Sequence, residues 1–400
     1  AADSFPSESD ALNIAGAVAL GGIVGGDISG STLTASAETG DATADETYGD
    51  ASATTMAVSA GVIGAIQGTV TDTTITATSF SGDAEAVSDN SDVSANSLSF
   101  AAGILGSVHA VSDEDGDVII NVSATSGDAD ASTSSDDDDA DAVSSAYAYG
   151  IADFEAIGSL LQGLPDILGG MGGIAPDPIE SDDPYTTTEL AGTITVDAIA
   201  GNATAYADDD DDDDDSFASA DAGATGFVGD ITGDVSATIV TTATAGEAEA
   251  TTDLDEVDAE ATANAYATGI DGGIYASELG DDDDDIPIYS GSITATANAG
   301  TATAEAFDQD GDDEDEASAN AESLGVVYLA GTMDGDITSN ANGGTASADG
   351  GNTRDVYADG KADAYGMNRL EGDMTATASI DATAIGGEAT ATTSRDDDNG

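Results

Sequence analysis

Small apolar and polar residues alternate with a period of two through most of this chain. The pattern is plainest in a phrase, Gly-x-Ala-x-Ala, that occurs eight times: GDATAD from Gly40, GDAEAV from Gly82, GDADAS from Gly127, GNATAY from Gly201, GEAEAT from Gly246, GTATAE from Gly300, GTASAD from Gly344 and GEATAT from Gly387. Alternation of this kind predicts β-strands, because successive side chains leave opposite faces of a pleated backbone. One face of each such strand is alanine and the other is Thr, Asp, Glu, Ser or Asn. Sheets that meet through alanine must pack closely, and each alanine buries little area at roughly 25 cal/mol per Å². Stability is therefore expected to come from stacked backbone hydrogen bonds and neighbour-to-neighbour contacts.

The glycines of the phrase are separated by 42, 45, 74, 45, 54, 44 and 43 residues, a basic period with two insertions. A period of this size marks a solenoid, a propeller or an array. The unit opens with a β-like stretch, as in GTVTDTTITATSFSG (68–82), GTITVDAIAG (192–201) and GSITATANAG (291–300). The alanine phrase follows, then an acidic loop. A third alternating stretch ends in an aromatic or small residue before Gly-Ile/Val/Phe/Met, as in DVSANSLSFAAGILG (92–106), DADAVSSAYAYGI (139–151), VDAEATANAYATGI (257–270) and RDVYADGKADAYGM (354–367). Three short strands per unit are predicted, with one or two rungs per unit left open. The expected fold is all-β: a repeat β-solenoid, parallel β-helix-like, of eight units of about 43 residues with an alanine-lined core and acidic loops.

Residues 1–10 read as an N-terminal tail, and 11–154 as units one to three. Residues 155–190 form an apolar insertion, and 191–400 hold units four to eight. Residues 11–25, ALNIAGAVALGGIVG, match the third stretch of a unit, whereas the last unit (372–400) stops after its acidic loop. The C-terminal unit thus lacks the strand that the N-terminus carries spare. In a closed ring that strand would complete its own chain; in an open solenoid it completes the last unit of the next molecule, a contact that propagates without closing. The open form is expected, since the strands lack the aromatic signature of propeller blades and neither end shows a polar cap. In the insertion, Ile157, Leu160, Leu161, Leu164, Ile167 and Leu168 suit a short amphipathic helix broken by Pro165. It reads as a cover for the solenoid's own core, a flap over one open side, or a lateral contact between filaments. The second insertion, ELGDDDDDIPIY (278–289), is an acidic loop.

Charge sharpens the picture. With 81 acidic against 4 basic residues the formal net charge is −77. Nucleic acid and anionic membrane surfaces are excluded as partners, because both need Lys and Arg clusters. Charge of this size often accompanies disorder, but the regular repeat grammar, 40% hydrophobic content and 50 glycines argue for a fold. The four cations, Arg354, Lys361, Arg369 and Arg395, lie in the last two units, so a stacked neighbour would bring a less negative end against a very negative one. There is no cysteine, hence no disulfide framework or thiolate metal site. No apolar run reaches the length of a membrane span. The chain opens at AADSFPSESD without an initiator Met, which suits a mature secreted product.

Aspartate runs fall between the second and third strands, at Asp136, Asp137, Asp138 and Asp139, at Asp208 to Asp215, and at Asp310 to Glu316. Packed carboxylates repel one another, and oxygen-rich sites for a hard cation relieve that repulsion, so Ca²⁺ is the expected ion. SDEDGD (112–117), with Asp113, Asp115 and Asp117, and DQDGDDEDE (308–316), with Asp308, Asp310, Asp312 and Asp313, resemble the start of calcium loops. Neither has the flanking helices or the final Glu of an EF-hand. The alternative reading of the runs is a solvated surface suited to high salt.

An enzyme is not expected. Acid–base and nucleophilic chemistry need matched groups in a cleft, and the chain has one histidine, His109, with no nucleophile elbow or phosphate loop. Polysaccharide-cleaving β-helices of the pectate lyase type are similar in fold and calcium use, but they rely on a basic catalyst, and their acidic substrates would be repelled here. The Ala/Gly/Asp/Thr-rich strands with acidic turns resemble secreted bacterial or archaeal β-solenoid surface proteins, including adhesins and calcium-stabilised matrix proteins. The nonapeptide GGxGxDxUx of calcium solenoids is missing. Taken together, the sequence implies an extracellular structural protein whose partner is itself, assembling head to tail through its spare N-terminal strand into a calcium-stabilised filament or sheath, with divalent cations or extracellular polysaccharide as further partners. The other function it implies is an adhesin stalk that stays monomeric and binds a glycan or mineral surface.

Overall fold

The computed structural model describes residues 9–89, 91–112, 116–134, 139–152, 187–207, 215–252, 258–275, 286–306, 314–350 and 355–392. Among them there is no helix, and hence none long and apolar enough to cross a membrane. The strands stack into three parallel sheets of eight, each in chain order. The long sheet takes Ser9–Gly21, Ala51–Ile63, Val93–Leu105, Ala140–Ala152, Ser216–Val228, Ala259–Ile274, Glu314–Ala330 and Asp355–Glu371. The middle sheet takes Thr32–Glu38, Thr74–Phe80, Ile119–Thr125, Thr193–Ile199, Thr238–Thr244, Ser292–Asn298, Asp336–Asn342 and Ser379–Ile385. The short sheet, built on the alanine phrase, takes Ala42–Glu46, Ala84–Ser88, Ala129–Thr133, Ala203–Ala207, Ala248–Thr252, Thr301–Ala306, Thr345–Asp349 and Glu388–Thr392. Each turn of the chain adds one strand to each sheet. The protein is therefore an all-β parallel solenoid, as its alternation predicts, with one rung per unit.

Two features depart from the three-short-strand unit. The third stretch is long, 13 residues in Ala51–Ile63 and 17 in Asp355–Glu371. A fourth, narrow strip also closes the turn between the long and middle sheets. It consists of short strands at Ile28–Ser29, Ile66–Thr71, Val108–Val111, Ile288–Tyr289 and Thr332–Met333, joined by single bridges. One ladder runs along it through Ile28, Val70, Val111, Leu190, Val235, Tyr289, Met333 and Met374. The predicted helix of the apolar insertion lies outside the described residues. The insertion's end is described: Leu190 is fully buried and bridges Val111 and Val235.

In cross-section the long sheet forms one layer, and the middle and short sheets together form the other. Register is strict because a slip of one residue would turn every alanine outward. Opposite the short sheet, the long sheet presents an unbroken ladder of Ala11, Ala53, Ala95, Ala142, Ala218, Ala261, Ala317 and Ala358. The short sheet answers with alanine at two positions in every strand, as in Ala84 and Ala86 or Ala248 and Ala250. Opposite the middle sheet the solution differs. Ile75, Ile120, Ile194, Ile239, Ile293, Ile337 and Ile380 each press Cγ2 into the space that a Cβ would occupy on Gly61, Gly103, Gly150, Gly226, Gly269, Gly325 and Gly366. Buried serine pairs also tie these layers, with Oγ–Oγ distances of 2.6 Å for Ser79–Ser99 and 2.8 Å for both Ser81–Ser97 and Ser126–Ser144.

The outer face of the long sheet carries a smaller apolar cluster, which includes Val58, Phe100, Leu105 and Tyr149. Burial, with the charge of Asp221 adding to it, pushes the neighbouring Tyr147 phenol up to about 12. Later in the same ladder as Val58 and Phe100, Tyr266 is 45% exposed.

Candidate functional site

Two places on the stack carry chemistry: the acidic corners and the open ends. At the corner between the middle and short sheets, the glycines of the recurring phrase form a ladder of their own. A Cβ on Gly82 would fall 2.5 Å from the carbonyl carbon of Gly40, and one on Gly127 would fall 2.5 Å from that of Gly82. Gly201, Gly246, Gly300, Gly344 and Gly387 each meet the preceding glycine in the same way. The phrase needs glycine here because the chains stack backbone on backbone.

The residue after each glycine does a second job. Asp83 N–H donates to Asp41 Oδ1 at 3.2 Å, Asp128 to Asp83 at 3.0 Å, Asn202 to Asp128 at 2.8 Å and Glu247 to Asn202 at 3.0 Å. Each of these short Asp or Asn side chains thus caps the backbone of the following turn, where the strands' own hydrogen bonding is interrupted. A shallow open groove runs along this corner, lined in part by Asn202, Gly246, Glu247, Gly300, Thr301 and Thr345. A second acidic ladder precedes the long sheet: Asp139 N–H donates to Asp92 Oδ1 at 3.2 Å, Asp215 to Asp139 at 3.1 Å and Asp258 to Asp215 at 3.3 Å. Burial first, and then neighbouring carboxylates, raise the pKa of Asp130, Asp141 and Glu260 above the ordinary carboxylate value.

Of the expected calcium ligands, Asp117 and Asp139 are described. Asp113, Asp115, Asp136, Asp137, Asp138, Asp308, Asp310, Asp312 and Asp313 lie outside the described residues. Asp117 is exposed just before Ile119–Thr125 of the middle sheet, whereas Asp139 stands before Ala140–Ala152 of the long sheet, so the two occupy different corners. Among the described residues no group of three or more His, Asp or Glu side chains is placed to hold a metal ion. Sequence reading weighed the long aspartate runs and passed over the single Asx that follows the glycine in the first four copies of the phrase. Its signal was present in Asp41, Asp83, Asp128 and Asn202. His109 is exposed, and its carbonyl accepts from Thr188 N–H at 2.7 Å.

The ends differ from the middle in one respect. A middle-plus-short strand pair normally packs against the long strands of two successive turns: Ala42–Glu46 touches both Ser9–Gly21 and Ala51–Ile63. The last pair, Ser379–Ile385 and Glu388–Thr392, contacts Asp355–Glu371 with no described long strand beyond it. Consequently Ala382, Ala384, Ala389 and Ala391 are exposed, whereas Ala341, Ala346 and Ala348 one turn earlier are fully buried. Ile380 is 37% exposed against 0% for Ile337. At the other end, the outer edge of Ser9–Gly21 has no strand against it among the described residues, and Leu12, Ile14 and Ile23 stand exposed nearby. Of the four cations, Lys361 pairs with Asp363 at 2.6 Å, and Arg369 pairs with Glu371 while lying 5.4 Å over the Tyr328 ring. Arg354 and Arg395 lie outside the described residues.

No family model, curated protein or solved structure matches this chain.

Proposed function

We propose that this is an extracellular structural protein that assembles head to tail, Ser9–Gly21 of one copy completing the last turn of its neighbour, into a filament or sheath. The observation that carries this reading is the exposed alanine floor of the last turn, at Ala382, Ala384, Ala389 and Ala391. Inside the stack such a floor is covered by the next long strand, and Ser9–Gly21 has the matching alanines and an open edge. Main-chain pairing of open sheet edges, with side-chain ladders setting register, is a general mode of β-association. A heterologous contact of this kind propagates rather than closes. The location outside the cell rests on the resemblance to secreted solenoids.

Calcium is proposed to stabilise the stack. The corner ladders hold like charges about 4.8 Å apart from turn to turn, and a hard cation shared between carboxylates lowers that repulsion. Electron microscopy of the purified chain with millimolar calcium, and again with chelator, tests both parts. Long uniform fibres are expected, shortened or lost in chelator; discrete particles in both conditions would overturn the filament.

A second reading, a monomeric adhesin stalk, draws on the outer face of the middle sheet. Thr74, Thr76, Thr78, Thr193, Thr195, Thr294 and Thr296 present hydroxyls there in register, a surface suited to a glycan or mineral. Retention of monomeric protein on such a surface, without fibres, would favour it.

A further inference from the structure

We infer that the joint seats Gly40 of one copy on Gly387 of its neighbour, so that every ladder of the stack continues across the contact without a change of register. The inference rests on the head-to-tail reading and specifies its geometry. Along the corner ladder a side chain is forbidden at Gly82, Gly127, Gly201, Gly246, Gly300, Gly344 and Gly387, because in each case the Cβ would strike the backbone of the glycine one turn before. Among the described residues Gly40 opens the ladder, with no turn before it. The nearest atom to a Cβ there is Asn13 Nδ2 at 3.4 Å, an ordinary van der Waals contact, and its φ is not left-handed. An isolated chain has room for a side chain at position 40. A joined chain does not, since Gly387 would lie beneath it as Gly40 lies beneath Gly82.

The other ladders agree with this register. Carried one turn further, Ala358 meets Ala11, Ala362 meets Ala15, Met367 meets Leu20 and Ile380 meets Leu33 of the neighbour. Apolar residue continues apolar residue at these four positions, and at the Asn13 position the ladder ends in Gly360, which leaves the amide room. Asn13 falls at the ladder position where Ser97 and Ser144 donate back to the carbonyls of Gly82 and Gly127 on the preceding turn, at 3.0 and 2.9 Å. Within the chain one of its amide hydrogens goes to the Gly40 carbonyl at 2.9 Å, as Thr55 Oγ1 donates to the Gly82 carbonyl at 2.7 Å; in the joint the other amide hydrogen faces the carbonyl of Gly387.

The test compares wild type with Gly40→Ala, reading filament assembly by sedimentation and folding by circular dichroism and thermal melting. Gly40→Ala is expected to keep the wild-type spectrum and melting curve as a monomer, while the concentration needed for assembly rises by about tenfold or more. Filaments of Gly40→Ala that form as readily as wild type would overturn the inference. Wild type that never assembles would overturn the head-to-tail reading itself. Should Gly40→Ala alter the monomer, a cysteine pair decides independently, because the chain has no cysteine of its own. Ile14 and Lys361 occupy one outward ladder, so Ile14→Cys with Lys361→Cys is expected to give covalent ladders on mild oxidation. Leu12→Cys with Lys361→Cys, two residues out of register, is expected to give none, and ladders from that second pair alone would overturn the inference.

Discussion

The solenoid has one half thin in side-chain bulk and one half thick in it, built from the same strands. Where the short sheet faces the long sheet, alanine meets alanine in every turn, and neither side has anything larger to accommodate. Where the middle sheet faces the long sheet, isoleucine meets glycine, and one side's bulk fills the other side's vacancy. Both arrangements suit close packing without voids, but they tolerate change differently. The thin half has no room to gain volume, and the thick half cannot lose it.

The largest effect is expected from removing volume in the thick half. Ile239 is fully buried, and Ile239→Ala should cost about 4 kcal/mol through lost burial and the residual cavity, measured by denaturant unfolding. The reverse change in the thin half, Ala261→Leu at another fully buried position, should cost about 3 kcal/mol because the two layers must part. If Ala261→Leu were tolerated while Ile239→Ala was not, the halves would not differ in the way described. Protonation sharpens the comparison further, since Asp130, Asp141 and Glu260 all stand on the outer side of the alanine half. Their folded pKa values are raised, chiefly by burial, so the folded state binds protons more tightly than the unfolded chain. Stability is gained as pH falls through the folded values, and the gain is complete below the unfolded value near about 4. Asp334 and Glu371, whose pKa values are lowered by hydrogen bonds, act in the opposite direction but stand at the surface, where solvent screens them. The melting midpoint at low salt should therefore rise as the pH is lowered from neutrality to about 4; a fall over that interval would contradict the assignment. The smallest effect is expected at Tyr266, exposed on the outer face, where Tyr266→Ser should change stability by less than about 0.5 kcal/mol.

Much of the thin half was legible in the sequence. Gly-x-Ala-x-Ala states the strand, its inward face and the stacked corner in five residues, because each of those properties is local. The thick half was less so. The glycine before Ile104 or Ile270 stood out as a marker, but its reason, the Ile120 or Ile293 methyl that fills its place, comes from a residue distant in the chain. The fourth strip escaped because Leu190, Val235 and Met374 enter it as single residues outside any strand, too short to show any period. The acidic chemistry was misweighted for a related reason. Runs such as Asp208 to Asp215 draw the eye, whereas the capping work of Asp83 and Asp128 appears only once turns 42 and 45 residues apart are stacked.

The central claim is that turns continue from one molecule into the next as they do within one. Helical reconstruction of the filaments measures this directly. With strands about 4.8 Å apart and eight in each sheet, the account predicts a rise of about 38 Å per molecule along the axis and an unbroken strand spacing across the joint. A different rise, a gap at the joint, or discrete particles in place of filaments would contradict it.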